Sequence, residues 1–418
     1  MKVYKYGGAS VRDARGIKNL TSIVSREESP LLIVVSALGK TTNALEKMFK
    51  KWYSNKAGWK DDFDNIYSYH QAISGDLFPT GNSVKSRIDN SFSQLRDYLL
   101  SGGKAGYDYE YDQIVSYGEI WSTLMIAEYL NKSGLNARWI DIRGNLLTDD
   151  RFRDANILWN KSRNRIKTIF DFREYPLYIT QGFIASTIAG QTTTLGREGS
   201  DYTAAILANI LDAEHVTLWK DVPGLLNADP RWLIDAEILE EVSYKEAVEM
   251  TFSGAKIIHP KTIKPLHNKN IPLHIKSFMV PDGIGTIVKA DATLRKVLPV
   301  YVRKENQILI SLLPKDFSFV MGETLSRVFY LFMNYGIKVN LVEASAVSIN
   351  VCVDRESSRL ESMLADFRRE YDIIYNEPVE MLSVRHYTPQ SIERIISGYE
   401  VLIEQKTRST VRFVARKT

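Results

Sequence analysis

The sequence predicts an α/β fold, a three-layer sandwich with a mostly parallel central sheet, followed by smaller ferredoxin-like α+β modules. Two observations lead to this prediction. Over roughly the first 300 residues, short apolar segments alternate with segments of helical period, and strand–helix–strand repeats build parallel sheets. After Pro299 the predicted order changes to βαββα, which suits ferredoxin-like modules.

The chain opens with a strand–helix–strand unit. Residues 3–6 and 31–35 are predicted strands, and the second is almost wholly apolar, as expected for a strand covered on both faces. Residues 13–26 carry apolar side chains at helical spacing, among them Ile17 and Leu20. The same alternation then predicts helices at 114–130 and 202–211 and strands at 138–142, 177–180 and 215–219.

Residues 53–106 are polar, aromatic and helix-like, and we predict a helical excursion that covers a substrate cleft. Turn formers cluster at 281–286, so we place a domain boundary near Leu298, which divides the chain into 1–297 and 298–418. In the second part we predict, in order, strand 308–312, helix 322–334, strands 339–343 and 347–353, helix 357–370, strand 379–384, helix 389–398 and strands 400–405 and 410–415.

Composition limits the classes of function. A chain of 418 residues is too long for one ordinary core, so two or three domains are expected. The net charge of +4, without a long run of Lys or Arg, argues against a nucleic-acid partner. The six histidines and the single cysteine, Cys352, form no metal-ligand pattern. No apolar run reaches the roughly 20 residues of a membrane span, and no secretory signal is visible, so we expect a cytoplasmic protein without membrane contacts.

The segment from Thr194 to Ala205 suits an anionic guest. Its small and polar residues allow the backbone to approach an anion closely, and it runs into a helix whose first turn offers unpaired N–H groups. Lys5 lies at the end of the first strand, where open α/β sheets place ligands. Gly7 and Gly8 follow it with backbone N–H groups free to approach phosphate oxygens.

A P-loop is excluded at Gly39-Lys40-Thr41, because Val34 occupies the place of the required first glycine. A helix N-cap by Thr41 or Thr42 would explain these hydroxyls without any ligand.

Four blocks, read together and in this order, resemble the aspartate kinases of the amino acid kinase family. They are KVYKYGGASV at 2–11, SALGKTTN at 36–43, TLGREGSDYTAA at 194–205 and FSGAKIIHP at 252–260. The resemblance covers roughly the first 290 residues, and the remainder resembles more weakly the tandem ACT regulatory region of these enzymes.

The resemblance implies an amino acid kinase-like fold and ATP-dependent phosphorylation of the β-carboxylate of L-aspartate to 4-phospho-L-aspartate. This is the first step of lysine, threonine and methionine biosynthesis. The implied cofactors are ATP and Mg²⁺, and the metal enters with the nucleotide, without a dedicated protein ligand. The β-carboxylate, with a reference pKa near ~3.9, needs no general base at neutral pH.

Site residues follow from the same resemblance. Lys5 and Asp201 are the expected catalytic pair, with Lys5 on the γ-phosphoryl group and Asp201 holding Lys5, although Asp201 also suits a helix N-cap. The expected substrate contacts are Glu119 for the α-ammonium group, Arg197 for the α-carboxylate, and the hydroxyls of Thr42 and Ser200. The expected ATP contacts are Lys5, Gly7, Gly8, Ser36, Gly39, Lys220, Asp221, Leu226, Arg231, Lys256 and Ile257.

Departures from the family pattern qualify these expectations. Glu198 stands where many relatives have Gly, and Leu226 stands where Tyr is common, so we expect altered affinity with the chemistry retained. ACT regions generally dimerise and bind an end-product amino acid, which points to a homodimer with effector contacts at Asn340 and Ser345. Asn340 and Ala346 replace the Asp and Glu of lysine-sensitive relatives, so we predict weak or absent lysine inhibition.

Two alternatives stay open. Another member of the same superfamily, acting on glutamate, acetylglutamate or a nucleotide, would share the fold, but such chains usually lack the two-module tail. A catalytically silent amino acid sensor would keep the fold, but intact Lys5, Arg197 and Asp201 argue against it. The length is taken to exclude a fused homoserine dehydrogenase.

Overall fold

The computed structural model describes residues 1–79, 83–255, 258–292, 298–316, 319–355 and 359–418. The chain divides into two compact units. The first comprises Met1–Leu225, Ile238–Val248 and Ile257–Thr293, and the second comprises Leu226–Glu237, Glu249–Lys256 and Leu294–Thr418.

The elements up to residue 292 are predominantly those of the first unit. Its strands are β1 (Lys2–Tyr6), β2 (Leu31–Val35), β3 (Ala137–Ile140), β4 (Leu147–Thr148), β5 (Leu177–Gln181), β6 (Ile184–Thr187), β7 (Thr192–Thr194), β8 (Val216–Lys220), β9 (Glu241–Ser243), β10 (Leu273–Ser277) and β11 (Thr286–Lys289). The helices are α1 (Ala14–Val24), α2 (Thr41–Tyr53), α3 (Trp59–Leu77), α4 (Ser83–Ser101), α5 (Tyr107–Val115), α6 (Tyr117–Lys132), α7 (Trp159–Ile169), α8 (Gly199–Leu211), α9 (Tyr244–Ser253) and α10 (Pro260–His267). Helix α9 continues from the first unit into the second.

Eight strands form the central sheet in the order β3-β5-β2-β1-β8-β10-β11-β9. Six of its seven neighbouring pairs are parallel, and the β10–β11 pair is antiparallel. Strand β1 lies in the middle, paired on one side with β2 and on the other with β8. The predicted α/β class with a mostly parallel sheet is therefore confirmed.

Helices cover this sheet because its central strands are apolar on both faces. All five residues of β2 are buried. Helices α1, α2 and α4 contact α6, while α7 and α10 contact α8. Both α6 and α8 are buried on nearly all sides, so the polar side chains that they carry into the interior lie away from bulk water.

The second unit is built on a six-stranded antiparallel sheet. Its strands are β12 (Val300–Pro314), β13 (Val339–Ala344), β14 (Ile349–Asp354), β15 (Tyr371–Arg385), β16 (Tyr399–Lys406) and β17 (Thr410–Lys417), in the order β13-β14-β12-β15-β17-β16. The helices are α11 (Gly322–Asn334), α12 (Leu360–Phe367) and α13 (Pro389–Ile396).

Two ferredoxin-like modules share the long strands β12 and β15. The second half of β12 and the first half of β15 pair within the module that contains α11 and α12. The first half of β12 and the second half of β15 pair within the module that contains α13. The register shifts between these halves, around Gln307. The predicted ACT-like α+β modules are confirmed as one continuous sheet.

Several predicted bounds need correction. The helix predicted at 114–130 is divided between two helices, α5 and α6, because the helical structure is interrupted at Ser116. The strand predicted at 379–384 is the second half of a strand of 15 residues. Helix α8 starts at Gly199, ahead of the predicted residue 202. Residues 53–106 are largely helical, as predicted, through α3 and α4.

The division at residue 298 stays a prediction. Segments 226–237 and 249–256 precede that boundary in sequence, yet they cluster with the second unit. Ala228, Trp232 and Leu233 pack in the same apolar cluster as Tyr301 and Phe413. Among the described helices, none is long and apolar enough to cross a membrane.

Candidate active site

Several predicted site residues of the first unit lie at or just after the carboxyl ends of β1, β2 and β8. Lys5 lies level with Val34 of β2 and Leu218 of β8 in the parallel register. The chain leaves these strands through Gly7, Ser36 and Asp221. The connection after β1 leads to β2 on one side of the sheet, and the connection after β8 leads to β9 on the other side. Open α/β sheets bind ligands where neighbouring connections diverge in this way.

A buried cluster of three charges lies at the centre of the site. Lys5 Nζ lies 2.7 Å from Asp201 Oδ1, which is the pairing that the resemblance implied. Lys220 Nζ lies 3.0 Å from Asp201 Oδ2. Asp201 is 2% exposed, so one buried carboxylate holds two ammonium groups side by side. The family resemblance predicted that Lys220 contacts ATP, but it did not predict that Lys220 and Lys5 both pair with Asp201.

The cluster stays charged. Burial alone would raise the pKa of Asp201, but the charges of Lys220 and Lys5 outweigh it and lower the pKa to about 2. Burial would lower the pKa of Lys220, but the charges of Asp201 and Glu198 more than offset this and raise it. Two ammonium groups held side by side suit an anionic guest.

Asp201 is not the N-cap of α8. The helix starts at Gly199 with Glu198 as N-cap, so Ser200 and Asp201 belong to its first turn. The N-cap alternative for Thr41 and Thr42 is likewise wrong, because Lys40 occupies that position of α2.

Two loops carry backbone groups to the edge of this cluster. Gly39 N–H donates to the carbonyl of Gly8 at 3.0 Å, which joins the loop after β1 to the loop after β2. A Cβ on Gly8 would lie 2.5 Å from Gly39 O, so the approach requires glycine. Gly39 has φ +56, in the left-handed region. Ser36 N–H donates to the carbonyl of Tyr6 at 3.1 Å.

Glu119 is a buried carboxylate with spare hydrogen-bonding capacity. It is 2% exposed, its Oε1 accepts from the Ala37 N–H at 3.3 Å, and its Oε2 has no hydrogen-bond partner among the described residues. Burial raises the pKa of Glu119 to about 8, against the opposing effects of the Ala37 N–H, the Thr42 hydroxyl and the charge of Lys5. A buried acceptor of this kind suits a cationic guest.

Arg197 and Glu198 follow the edge of a small sheet. Three strands form that sheet in the order β4-β6-β7, and β7 ends at Thr194, three positions before Arg197. Arg197 is exposed, and its guanidinium has no ion pair with any residue in the described part of the chain. Glu198 has φ +54, and its Oε2 is buried without a hydrogen-bond partner among those residues.

The remaining predicted contacts lie in different surroundings. Ser200 is buried and Thr42 is half-buried. Asp221 is exposed directly after β8. Leu226 and Arg231 belong to the second unit, where the Arg231 guanidinium donates to the carboxylate of Asp229. Lys256 and Ile257 lie outside the described residues.

The two predicted effector residues both lie in the second unit. Both polar groups of the Asn340 amide are hydrogen-bonded: it donates to Gln307 at 2.7 Å and to Asp354 at 3.1 Å, and accepts from Lys304 at 2.9 Å. Ser345 is exposed, and its hydroxyl lies 2.7 Å from that of Ser348. Their effector role stays a prediction.

Sequence reasoning missed two residues that shape the site. Gly182 lies between β5 and β6, where a Cβ would come within 2.4 Å of Ser200 Cβ. Asp112 is fully buried and accepts hydrogen bonds from Thr194. A lone Gly and an Asp within an aromatic helical stretch carry no motif, so long-range contacts alone identify them.

Comparison with known proteins places the chain in a family. The model of the amino acid kinase family matches residues 1–277. The lysine-sensitive aspartokinase 3 of Escherichia coli strain K12 is 33% identical over 359 residues, which span 85% of this chain and 79% of that protein. The bifunctional aspartokinase/homoserine dehydrogenase 2 of Arabidopsis thaliana is 31% identical, but the match spans only 39% of its length.

Solved structures agree with the sequence matches. The structure of E. coli aspartokinase III in complex with aspartate and ADP superposes with a TM-score of 0.83 at 28% identity, covering 99% of this chain and 96% of that one. The same enzyme with lysine and aspartate gives a TM-score of 0.81. The chain spans about two fifths of the bifunctional relatives and most of the monofunctional one. It belongs to the amino acid kinase family, and within that family to the aspartokinases.

Proposed function

We propose that this protein transfers the γ-phosphoryl group of ATP to the β-carboxylate of L-aspartate, forming 4-phospho-L-aspartate and ADP. The observation that carries the proposal is the buried Lys5–Asp201–Lys220 cluster beside the Gly8–Gly39 contact. The similar E. coli structure holds aspartate and ADP, which supports the same pair of substrates here. The product would enter lysine, threonine and methionine biosynthesis.

The protein's part in this reaction is alignment and charge neutralisation. A β-carboxylate oxygen attacks the γ-phosphorus in line, the bond to the ADP oxygen breaks, and no proton needs to move. Lys5 and Lys220, held by Asp201, would neutralise the phosphates, and backbone N–H groups of Gly7 and Gly8 would approach their oxygens. A fixed ammonium pair needs no reorganisation as charge shifts to ADP.

Substrate recognition would use the two charged groups on the α-carbon of the amino acid. The free Oε2 of Glu119 suits the α-ammonium group, and the fork of Arg197 suits the α-carboxylate. Thr42 and Ser200 would add hydroxyls. Asp221, Leu226, Arg231, Lys256 and Ile257 remain proposed nucleotide contacts, as do Ser36 and Gly39.

Mg²⁺ would arrive on the phosphates of ATP. Among the described residues, no group of three or more His, Cys, Asp or Glu side chains could hold a metal ion, and Asp201 already serves two lysines. We therefore propose no dedicated protein ligand. When bound, the ion would supply further neutralisation of the β- and γ-phosphates.

The test is ADP release by the purified full chain with ATP, Mg²⁺ and one acceptor at a time. We expect turnover with L-aspartate, trapping of the acyl phosphate by hydroxylamine, and little turnover with glutamate, acetylglutamate or a nucleoside monophosphate. Lys5→Ala should lower kcat by about a thousandfold, with the circular dichroism spectrum unchanged. Lys2→Ala, which removes the cation at the other end of β1, serves as the control.

Some outcomes would refute the proposal. Preferred turnover of another acceptor would make the protein a different kinase of the same superfamily. Absence of turnover with every acceptor would favour the amino acid sensor, and a near-native rate in Lys5→Ala would remove Lys5 from its role.

We also propose that lysine inhibits this protein weakly or not at all. Asn340 provides no negative charge for an effector ammonium group, and its amide is already bonded to Lys304, Gln307 and Asp354. The E. coli relative has been solved with lysine bound, so lysine is the effector to test first. Strong inhibition by added lysine would reject this proposal. We further propose that the protein forms a homodimer through its ACT-like modules. Sedimentation of the purified full chain would test this oligomeric state.

A further inference from the structure

The strand that precedes Arg197 has an unusual partner on its outer side. Strand β7 is the last strand of its three-stranded sheet and pairs with β6 on its inner side. An edge strand leaves outward-facing N–H and C=O groups that the sheet does not satisfy. In β7 these groups belong to Thr192 and Thr194, and helix α5 reaches them.

Side chains of α5 replace a fourth strand. Gln113 Nε2 donates to the Thr192 carbonyl at 2.8 Å, and its Oε1 accepts from the Thr192 N–H at 3.3 Å. Asp112 Oδ2 accepts from the Thr194 N–H at 2.8 Å. The Ala155 N–H donates to the Thr194 carbonyl at 3.0 Å. All four outward backbone groups of the two threonines are therefore bonded.

Asp112 is a buried carboxylate that serves backbone and hydroxyl donors. It is 0% exposed, and besides the Thr194 N–H it accepts from the Thr194 hydroxyl at 2.7 Å and from the Arg153 N–H at 2.9 Å. Burying a carboxylate is unfavourable unless its hydrogen bonds are made, so these three donors must stay in place. The arrangement fixes β7 rigidly against α5.

The two elements joined in this way lead to the two residues that we propose bind the α-ammonium and α-carboxylate groups of the substrate. Helix α5 passes through Ser116 into α6, where Glu119 follows Asp112 by seven positions. Strand β7 ends at Thr194, three positions before Arg197. Any slip of β7 along α5 would change the distance between the Glu119 carboxylate and the Arg197 guanidinium.

We propose that Asp112 and Gln113 are positioning residues that set the spacing between Glu119 and Arg197, and thereby the affinity for the amino acid substrate. Neither residue needs to touch the substrate. The inference rests on the proposed function, because it assigns to α5 the alignment of the site described there.

The test compares KM for aspartate with KM for ATP in the purified full chain. Asp112→Ala should raise KM for aspartate by about ten- to a hundredfold, since a shift of about 1 Å in a positioning group has effects of this size. KM for ATP should change by less than about threefold. Gln113→Ala should act in the same direction, and it keeps the test informative if Asp112→Ala fails to fold.

Asp112→Asn distinguishes hydrogen bonding from charge. The asparagine carbonyl can accept from the two backbone N–H groups, while its NH₂ donates to the Thr194 hydroxyl, which can reverse its role. All three bonds then survive without the charge. We expect this variant to restore KM for aspartate to within about threefold of the wild type.

Glu110→Ala is the matched control. Glu110 is a 2% exposed carboxylate of the same helix, but its partners are the Tyr98 hydroxyl and the Ala105 N–H, away from β7. The KM of the Glu110→Ala variant for aspartate should equal that of the wild type even if the melting temperature of the variant falls. Equal rises of both KM values in Asp112→Ala and Gln113→Ala, or no rise in either, would overturn the inference. Wild-type protein without aspartate kinase activity would instead refute the proposed function.

Discussion

Asp201 determines how charge is arranged in the proposed active site. One carboxylate at the first turn of α8 orients Lys5 from β1 and Lys220 from β8, so a single side chain positions both cations that we propose bind phosphate. Its lowered pKa, about 2, keeps it ionised throughout the physiological range. Glu119 is the opposite case, a carboxylate whose burial raises its pKa to about 8.

This contrast predicts a pH dependence. Glu119 must lose its proton to hold an ammonium group, and in the free protein it is mostly protonated below about pH 8. The value of kcat/KM for aspartate should therefore rise with pH up to about 8 and then level off. Each pH unit below that point would lower it by at most about tenfold, or 1.4 kcal/mol. In Glu119→Gln the profile should be low and should lack this rise.

The pH profile is measured with ATP saturating and aspartate varied. A wild-type profile that is flat between pH 6 and 8 would show that Glu119 is already ionised in the free protein. A rise that persists in Glu119→Gln would assign the ionisation to another group.

We predict that replacing Glu198 improves the affinity for the substrate. Its backbone has φ +54, which glycine adopts without strain, and its carboxylate adds negative charge beside the place proposed for a substrate with two carboxylates. Glu198→Gly should lower KM for aspartate several-fold and raise the free energy of unfolding by up to about 1 kcal/mol. Glu198→Gln removes the charge alone, so it should lower KM without that gain in stability. A higher KM in both variants would show that the carboxylate assists binding.

At the scale of elements, close packing positions the helix that carries Asp201. Helix α8 begins one residue before Ser200, and Gly182 passes beneath it with no room for a side chain. A Cβ at Gly182 would lie 2.4 Å from Ser200 Cβ and 2.7 Å from Ser200 Cα. The start of α8 can therefore sit where it does only because residue 182 is glycine.

Gly182→Ala should displace the first turn of α8 and lower kcat/KM by about ten- to a hundredfold, with helix content unchanged. The control is Gly75→Ala in α3, where a Cβ has nothing within 4 Å. That change should leave activity intact and raise stability by about 0.5–1 kcal/mol. Steady-state kinetics and thermal unfolding check both. Wild-type kinetics in Gly182→Ala would mean that α8 tolerates the shift.

Local pattern predicted some elements better than others. The bounds of β2 agree with the prediction because its apolar run is short and ends at polar Ser36. The predicted 114–130 helix missed the break at Ser116, since apolar periodicity continues through it. Strand β15 was found only in its second half, because residues before Val379 alternate weakly and are largely exposed. Lys5 and Asp201 were found by resemblance, while Asp112 and Gly182 matter through contacts distant in sequence.

At the scale of the whole molecule, the chain passes repeatedly between its two units. It crosses between them around residues 225, 237, 248, 256 and 293. The apolar residues Ala228, Trp232 and Leu233 pack with Tyr301 and Phe413 of the second unit. A cut at the predicted boundary therefore separates packed partners, although it looks clean in sequence.

The fragment 1–297 should consequently be less stable than the full chain and inactive. Removing residues 298–418 exposes the side chains of Trp232 and Leu233, which lose their apolar neighbours. Tryptophan fluorescence, melting temperature and ADP release of the fragment and the full chain provide the comparison. A fragment that melts at the same temperature and retains activity would make the boundary near Leu298 a true domain division.

The central claim is that Glu119 and Arg197 bind the α-ammonium and α-carboxylate groups of one aspartate, and acceptor specificity tests it most directly. Succinate lacks the ammonium group, and β-alanine lacks the α-carboxylate. In the wild type, kcat/KM should favour aspartate over each by about a hundredfold or more. The Glu119→Gln variant should lose the preference for aspartate over succinate but keep the preference over β-alanine. The Arg197→Ala variant should lose the preference for aspartate over β-alanine but keep the preference over succinate. Preferences that stay unchanged in both variants would contradict the account.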